Sequence, residues 1–597
     1  MTSFKFPFLY FLTLLSFAFI EKAKSQENIS SPSLSSEPLT TDDLSQFHPS
    51  KSTKWIIAGN ISADRDQKND LETKNGKGVL VYLPKLKGDK ALETKLKHGD
   101  IDLNLDFLLS KSASFSILFQ GRYEVKITDA WLSNANNAMR APGLWQNLSV
   151  RFRASEFDSR GSKIKDAVLE QILINGQQVQ GSTKILISEH SSFRTESETG
   201  PLVILGEISP FAIRNISYKI YEKDEIKLTD IKFKVYPGLH KNIDTLLSLK
   251  PKRTGITDSI SHQVGDRKSQ LVFNGFAEIP TDGEYLFKLT AGGGAWLFID
   301  GKLVIENKGS RDFEKAFYAK QKLKKGKFPF RIVYSNSDEC LVLHYEGPQI
   351  PWHSLTTNAS VRLSEKFDPL EYKVRRRPVI QRGFMLKNGI INPYIVSVGI
   401  PTDKNSQGLN YAYDMKKFSL TTVWHGKYID VSNMWTERGE KQLEIPLGAR
   451  LELPGKPILA KKIPESSVWP DSVQAPEGVY SNRGYKLGHD GFPIFYYALD
   501  GVSIEDSFVP NQDRTGLTRL LKIKNPVETS YCLLAEGKVI EKVSEGNFSV
   551  DDKQYYIAGL ETGATKATVY HGTEGDKLVV SIPAQQENSM IKFDIIW

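Results

Sequence analysis

Aromatic and charged side chains concentrate in one stretch of the C-terminal third of the chain. Aromatic rings stack on sugar rings, and carboxylate, imidazole and guanidinium groups form hydrogen bonds with sugar hydroxyls. The stretch could therefore line a carbohydrate cleft, and the same residues could instead form a packed sandwich core with satisfied polar groups. The residues are Tyr411, Tyr413, Asp414, Trp424, His425, Trp435, Glu437 and Arg438.

Other chemistries have no sequence support. The ten histidines have no cysteine or carboxylate partners at ligand spacing, so we predict no metal site. The chain has no phosphate-binding glycine loop followed by lysine, no G-x-S-x-G motif and no Cys-x-x-Cys-His haem attachment motif. We therefore predict no cofactor.

Length and composition indicate a folded protein of several domains. A chain of 597 residues exceeds what one hydrophobic core usually organises, so about three or four domains are expected. The 44 Gly, 28 Pro and 11% aromatic residues favour strands and turns.

The N-terminal segment has the pattern of a secretory signal peptide. Lys5 precedes an apolar stretch from Phe6 to Ile20, and small residues follow at Ala23 and Ser25. The stretch is too short to span a bilayer comfortably, and no cysteine follows it to receive a lipid. We predict cleavage after Ser25, a soluble product, and a secreted, periplasmic or cell-surface location.

The basic run argues against nucleic acid as a partner, and the positions of the two cysteines predict free thiols. The basic run at 375–377 lies beside Pro378 and is typical of a solvated linker, so nucleic acid is not expected as a partner. Cys340 and Cys532 lie far apart in apolar contexts, which predicts two buried free thiols.

Strand patterns dominate the chain after a polar segment at 26–52 that we interpret as a flexible tether. Apolar and polar residues alternate over 101–107, and Asn175 and Gly176 predict a type I′ hairpin turn. Long amphipathic helices are absent from the sequence pattern, so we predict an all-β fold of three consecutive β-sandwiches. Their predicted bounds are 53–222, 230–365 and 379–597, with a linker at 366–378.

The first predicted domain resembles the 3-keto-disaccharide hydrolase family, a concanavalin-like jelly-roll sandwich. The resemblance rests on HGDIDLNLDFLL, FQGRYEVKITDAW, GLWQNLSVRFRASEFD and VLEQILINGQQV. The resemblance implies cleavage of 3-keto-glycosides by elimination. A ketone at sugar carbon 3 acidifies the proton on carbon 2, so that a base removes this proton and the glycosidic oxygen leaves carbon 1. Water then adds to the unsaturated sugar.

The resemblance implies roles for individual residues. Glu124 would act as base or acid, Asp129 as a hydroxyl-orienting partner, and Arg122 as the enolate stabiliser. Trp145 would be the sugar platform, and Tyr123 would be a further substrate-binding residue. The separation of Glu124 and Asp129 is odd, so on a regular strand they face opposite sides of the sheet. The alternative is that both are surface positions of a sandwich strand.

The second predicted domain resembles the protective-antigen type, a glycan-binding sandwich. The resemblance rests on EIPTDGEYLFKLT, GGGAWLFIDGKLVIEN, LKKGKFPFRIVY and LHYEGP. Sugar-binding members hold calcium through two adjacent aspartates where this chain has Gly292 and Gly293. Trp296 could stack on a sugar or serve as core packing.

The third predicted domain resembles an extracytoplasmic domain that accompanies haem-bearing dehydrogenases, through IVSVGIP and RGYKLGHDGFPIFYYALDGVSIED. In it, Trp424 and Trp435 are the candidate sugar-binding residues. The sequence thus leaves three hypotheses open: an exported enzyme acting on 3-keto-glycosides, a non-catalytic glycan-binding or scaffolding protein, and a partner of an extracytoplasmic sugar dehydrogenase.

Overall fold

A computed structural model describes residues 32–48, 52–128, 138–222, 224–240, 242–309, 315–358, 369–387, 389–401, 408–435, 442–461, 468–473, 480–499, 501–524, 526, 528–563, 565–584 and 588–597. The predicted signal peptide, Asp129, Glu437 and Arg438 lie outside these residues. Every paired strand in the described residues is antiparallel to its neighbours, and the prediction of an all-β fold with several β-sandwiches is confirmed.

The first sandwich consists of a nine-stranded and a five-stranded sheet. The nine-stranded sheet follows the order β13-β12-β9-β6-β16-β4-β3, with β1 beside β16 and β14 beside β12, and the five-stranded sheet follows β2-β5-β15-β7-β8. β10 and β11 form a separate ribbon. The strands are β1 (Glu37–Pro38), β2 (Phe47–His48), β3 (Trp55–Ser62), β4 (Glu72–Tyr82), β5 (Ala91–His98), β6 (Asp100–Leu109), β7 (Ser114–Phe119), β8 (Tyr123–Thr128), β9 (Trp145–Arg153), β10 (Glu156–Phe157), β11 (Lys163–Lys165), β12 (Val168–Ile174), β13 (Gln177–Gln180), β14 (Thr183–Lys184), β15 (Gly200–Gly206) and β16 (Phe211–Tyr221).

Local sequence pattern accounts for this sandwich. The apolar side chains of β6 point into a core shared by both sheets, while Asp102, Asn104 and Asp106 point outward. Asn175 and Gly176 have φ of 49° and 77°, so both occupy the left-handed region that a type I′ turn requires, and β12 pairs with β13 across them. The predicted hairpin is confirmed.

The described part of the predicted tether carries short strands. β1 pairs with β16, and β2 pairs with β5, so the segment contacts both sheets of the sandwich. Phe47 is buried in the shared core. A core residue was not expected in this segment, because its sequence has no hydrophobic period.

The second sandwich packs a six-stranded sheet, β18-β17-β19-β24-β21-β22, on a four-stranded sheet, β23-β20-β25-β26, around one core. Asp300 and Gly301 have φ of 52° and 71° and form the tight turn between β21 and β22. The elements are β17 (Lys227–Pro237), α1 (Ile243–Ser248), β18 (Arg253–Ile256), the 3₁₀ turn η1 (His262–Val264), β19 (Ser269–Ile279), β20 (Gly283–Ala291), β21 (Gly294–Ile299), β22 (Lys302–Lys308), β23 (Phe317–Leu323), β24 (Gly326–Asn336), β25 (Leu341–Gly347) and β26 (Ile350–Ser354).

The described residues of the C-terminal unit form four sheets. Their orders are β27-β32-β33, β28-β29-β30-β31-β34, β35-β40-β45-β44 and β36-β37-β38-β39-β46-β43-β42-β41. The elements are β27 (Glu371–Tyr372), β28 (Val379–Lys387), β29 (Ile390–Ile400), β30 (Leu409–Asp414), β31 (Ser419–His425), β32 (Lys427–Asp430), α2 (Ser432–Trp435), β33 (Ile445–Leu447), β34 (Arg450–Glu452), β35 (Leu459–Ala460), β36 (Tyr480–Leu487), β37 (Pro493–Leu499), β38 (Val502–Pro510), β39 (Gly516–Lys524), β40 (Ser530–Gly537), β41 (Ile540–Ser544), β42 (Asn547–Val550), β43 (Tyr555–Glu561), β44 (Ala567–Tyr570), β45 (Asp576–Ile582) and β46 (Asn588–Ile596).

The C-terminal unit packs on the outer face of the nine-stranded sheet. The amide of Trp145 donates to the carbonyl of Lys553 at 2.9 Å, and the Tyr556 hydroxyl donates to the carbonyl of Pro142 at 3.1 Å. A small apolar cluster closes the contact and consists of Ala141, Leu144, Tyr556, Ala558 and Ile596. The first and last units therefore share a packed interface.

The structure also bears on the two cysteines and on helices that could cross a membrane. Cys340 and Cys532 are both buried and free, as expected. Among the described residues, no helix combines the length and the apolar character that crossing a membrane requires.

Candidate functional site

The outward face of the five-stranded sheet carries a compact polar group around Glu124. Glu124 lies on β8 directly after the core residue Tyr123, so strand alternation turns its carboxylate away from the core. Ser116 lies on the same face of the adjacent strand β7. Ser188 and His190 come from the segment between β14 and β15. We call Ser116, Glu124, Ser188 and His190 the Glu124 cluster.

Three side chains hold the Glu124 carboxylate. The Ser116 hydroxyl donates to Oε1 at 2.5 Å, the Ser188 hydroxyl donates to Oε2, and His190 Nδ1 lies 2.8 Å from Oε2. Burial raises the pKa of Glu124, but these hydrogen bonds outweigh burial and bring the pKa below its ordinary value. The carboxylate is therefore ionised at neutral pH, and its acceptor sites are largely used within the cluster.

His190 is the more exposed member of its pair with Glu124. Its side chain is 43% exposed, against 15% for Glu124. An ionised carboxylate beside Nδ1 favours the tautomer in which Nδ1 carries the proton, which leaves the lone pair on Nε2. Within the described residues, no hydrogen bond involves Nε2. The pair has the arrangement of a general base oriented by a carboxylate.

A second carboxylate lies on the same face of the sheet. Glu207 accepts from the Ser114 hydroxyl at 2.6 Å and pairs with Lys126 Nζ at 2.6 Å. Burial raises the pKa of Glu207, and the contacts with Lys126 and Ser114 lower it further than burial raises it; the nearby charge of Glu124 acts in the raising direction. This face therefore carries two ionised carboxylates with a lysine beside one of them.

The structure places Arg122 and Tyr123 away from this group. Arg122 is buried, donates to the backbone carbonyls of Thr195 and Gln120, and lies over the Phe193 ring at 4.4 Å. Tyr123 points into the core, and its hydroxyl is 3.1 Å from Glu196. Both side chains stabilise the loop that precedes β15.

Trp145 lies under the C-terminal unit. Its side chain is buried in a second apolar cluster on the outer face of the nine-stranded sheet, and the Arg214 guanidinium carbon lies 4.0 Å from the ring centroid. Arg214 also pairs with Asp552 of the C-terminal unit at 2.7 Å. This packing leaves no open ring face for a sugar in the structure.

Two of the other predicted sugar-binding tryptophans are also interior. Trp296 is buried against Tyr236 and Val333, and its indole nitrogen donates to Glu306 at 3.0 Å. Trp424 is fully buried, with its indole nitrogen on the carbonyls of 427 and 428. By contrast, Trp435 is 76% exposed at the end of α2.

The residues at the expected calcium position do not fit calcium. Gly292 and Gly293 supply no carboxylate, and Asp338, which lies beside Gly292, pairs its carboxylate with Arg267 at 3.1 Å. Calcium requires several oxygen ligands. In the described part of the chain, no group of three or more His, Cys, Asp or Glu side chains could hold a metal ion.

Sequence reasoning missed Ser188 and His190. They lie in an irregular segment 64 and 66 positions from Glu124, so no strand pattern connects them to it. The available signal was the parity of β8, which places Glu124 outward with Ser116 on the neighbouring strand. That signal identifies the face but not the loop that folds over it.

Comparison with known proteins identifies the second sandwich. Residues 250–352 match the PA14 domain family. The matched residues cover most of the second sandwich, which is therefore similar to PA14 domains. The predicted protective-antigen type resemblance is confirmed for these residues, whereas the 3-keto-disaccharide hydrolase family is not confirmed for the first sandwich. No curated protein matches the chain.

Several solved structures are similar to parts of the chain. A candidate glycosyl hydrolase from Parabacteroides distasonis is 19% identical over 33% of this chain and 97% of its own, with a TM-score of 0.21. The β-glucosidase from Kluyveromyces marxianus is 19% identical over 20% of this chain and 15% of its own, with a TM-score of 0.15. An anti-sigma factor domain-containing protein from Clostridium clariflavum is 13% identical over 43% of this chain and 97% of its own, with a TM-score of 0.18. TM-scores of this size carry no argument about function.

Proposed function

We propose that the protein is an exported carbohydrate-active enzyme that cleaves 3-keto-glycosides at the Glu124 cluster. The observation that carries this proposal is the contact between His190 Nδ1 and the Glu124 carboxylate, with the His190 side chain 43% exposed to solvent. The PA14 domain supports a carbohydrate context, because domains of this type bind glycans.

The chemistry assigns different tasks to the two residues. His190 Nε2 takes the proton from sugar carbon 2, which the carbon 3 ketone has acidified. The bond between carbon 1 and the glycosidic oxygen then breaks, and the departing oxygen takes a proton from a water molecule, which is restored by the proton that His190 removed. Addition of a second water across carbons 1 and 2 restores a saturated keto-sugar. Glu124 stays ionised and stabilises the imidazolium that forms.

The test follows aglycone release from an aryl 3-keto-glucoside by proton magnetic resonance. We expect His190→Gln and Glu124→Gln each to lower kcat by about 100-fold or more, because general-base catalysis typically contributes that much. His353→Gln is the matched control, since His353 also pairs with a carboxylate, that of Glu225 at 3.3 Å, but in the second sandwich. Unchanged turnover in His190→Gln would refute the assignment.

Glycan binding without catalysis is a second candidate function. Trp435 is the one residue among the predicted sugar platforms in the described chain with an open ring, at 76% exposure. An exposed tryptophan suits stacking on a sugar face. Absence of turnover by the wild-type protein, together with saturable glycan shifts that Trp435→Ala abolishes, would favour this function.

A further inference from the structure

The positive charge of the chain is concentrated in the second sandwich. Residues 226–355 contain 20 lysines and arginines against 14 aspartates and glutamates, a formal net charge of +6, and the whole chain carries +8. The net charge of a domain sets the sign of the partners that it attracts. The excess in this sandwich therefore favours an anionic partner.

Four side chains form a row across the outward face of the four-stranded sheet. Tyr318 of β23 lies opposite Lys288 of β20, and Lys288 lies opposite His344 of β25. Ser354 of β26 lies opposite His344 on its other side. The residues on either side of Lys288 and His344 along their strands belong to the core, so strand alternation turns the row away from the core. We call Tyr318, Lys288, His344 and Ser354 the Lys288 row.

Two basic side chains stand next to each other in the middle of this row. Lys288 and His344 are both partly exposed, and directly opposite side chains have Cβ atoms about 4.5–5.5 Å apart. Among the described residues, neither the Lys288 ammonium nor the His344 ring forms a hydrogen bond or an ion pair. Burial of His344 and the charge of Lys288 both lower the pKa of His344. An anion placed between the two side chains would complement both.

The acidic side chains on this face already have basic partners. Glu284 pairs with Lys320 at 2.9 Å, and Glu346 pairs with Lys219 of the first sandwich at 2.7 Å. Within the described strands of this sheet, the other outward charged residue is Lys322, which is exposed. The charge of the Lys288 row is therefore not balanced by a carboxylate on the same face.

The junction of the first two sandwiches bounds the row on one side. Glu346 lies two residues from His344 on the same face of β25. Its carboxylate accepts hydrogen bonds from the Ser33 hydroxyl and the Leu34 amide, both at 2.8 Å, and from Lys219. A saccharide on the Lys288 row would therefore lie beside the first sandwich.

We propose that the Lys288 row binds a uronate residue of an acidic polysaccharide. The uronate carboxylate accepts charge-assisted hydrogen bonds from the Lys288 ammonium and the His344 ring. The Tyr318 ring is partly exposed beside Lys288, where an aromatic ring can stack on the sugar. This site is separate from the Glu124 cluster, and its assignment does not depend on catalysis there.

Calorimetric titration of the full mature protein with a galacturonate trimer, and with the methyl ester of the same trimer, tests the site. The ester keeps the sugar rings and removes the charge, so we expect saturable binding of the acid and at least about tenfold weaker binding of the ester. Lys288→Met should weaken binding of the acid at least about tenfold. Lys234→Met is the matched control, because Lys234 is an exposed lysine on β17 in the opposite sheet. It should leave the affinity unchanged.

His344→Gln provides a second test through the pH dependence of binding. Protonation of His344 favours an anionic ligand, and a uronate stays ionised above about pH 5. The wild-type protein should therefore bind the acid more tightly at pH 5.5 than at pH 8, and His344→Gln should show a smaller change. This variant decides the question if circular dichroism shows that Lys288→Met does not fold.

Three results would overturn the proposal. The first is the absence of saturable heat when the wild-type protein is titrated with the acid, and the second is equal affinity for the acid and its ester. The third is an equal loss of affinity in Lys288→Met and Lys234→Met, which would show that the net charge of the sandwich attracts the ligand without a defined site.

Discussion

Arg214 lies between Trp145 and Asp552, with its guanidinium 4.0 Å from the ring centroid and 2.7 Å from the carboxylate. The contact joins the first sandwich to the C-terminal unit. Asp552 has a φ of 51°, a left-handed conformation that Asn also adopts readily. Asp552→Asn therefore removes the charge with little change in backbone preference.

We expect Asp552→Asn to lower the free energy of unfolding by about 1 kcal/mol, the upper range for partly exposed ion pairs. Urea unfolding followed by tryptophan fluorescence measures it. Asp230→Asn is the control, because Asp230 has a φ of 54° and pairs with Lys327 at a more exposed site. Equal effects of the two substitutions would contradict a specific role for the interface.

Ionisation of Glu124 should make the first sandwich sensitive to acid. Hydrogen bonds from Ser116, Ser188 and His190 outweigh burial and lower the pKa of Glu124 in the folded protein below the unfolded value of 4.5. The carboxylate therefore contributes stability above pH 4.5, and that contribution is lost as the pH falls through the folded pKa. In urea unfolding, the free energy of unfolding of the wild-type protein should exceed that of Glu124→Gln by more at pH 7 than at pH 3. A stability difference between the two proteins that does not change with pH would contradict the role of Glu124 ionisation.

Short-range patterns predicted much of the fold. Alternation over 101–107 and the dipeptide Asn175–Gly176 encode a strand and a turn within a few residues, and the structure contains both. Burial of Trp145 depends on residues about 400 positions later in the chain, which no local pattern reveals. The site was predictable only as far as the outward direction of Glu124, because Ser188 and His190 reach it from an irregular segment.

Both cysteines should resist thiol reagents in the folded protein. Cys340 and Cys532 are both buried, which limits the access of reagents to either sulfur. Burial also raises the pKa of the Cys532 thiol to about 12, so Cys532 carries almost no reactive thiolate at neutral pH. With Ellman's reagent at pH 8 we expect slow reaction of the native protein and rapid reaction of two thiols per chain in guanidinium chloride. Rapid native labelling that Cys532→Ala removes would show that the burial of Cys532 is incomplete.

Glu444 should make the C-terminal unit less stable as the pH rises. The carboxyl is buried and accepts a hydrogen bond from Ser397, while its Oε1 has no partner among the described residues. Burial raises the pKa of Glu444 from 4.5 to about 7. The folded protein therefore holds this proton more tightly than the unfolded chain, so stability is lost as the pH rises from 4.5 to 7 and levels off above 7.

The difference in pKa corresponds to about 3 kcal/mol for full ionisation. We expect Glu444→Gln, which stays neutral, to gain stability relative to the wild-type protein by about this amount between pH 4.5 and 7.5, measured by urea unfolding at half-unit intervals. Glu452→Gln is the control, since Glu452 lies nearby on β34 and is exposed. A constant difference between wild type and Glu444→Gln across this range would mean that the buried carboxyl is already ionised at pH 4.5, with a partner that compensates its charge.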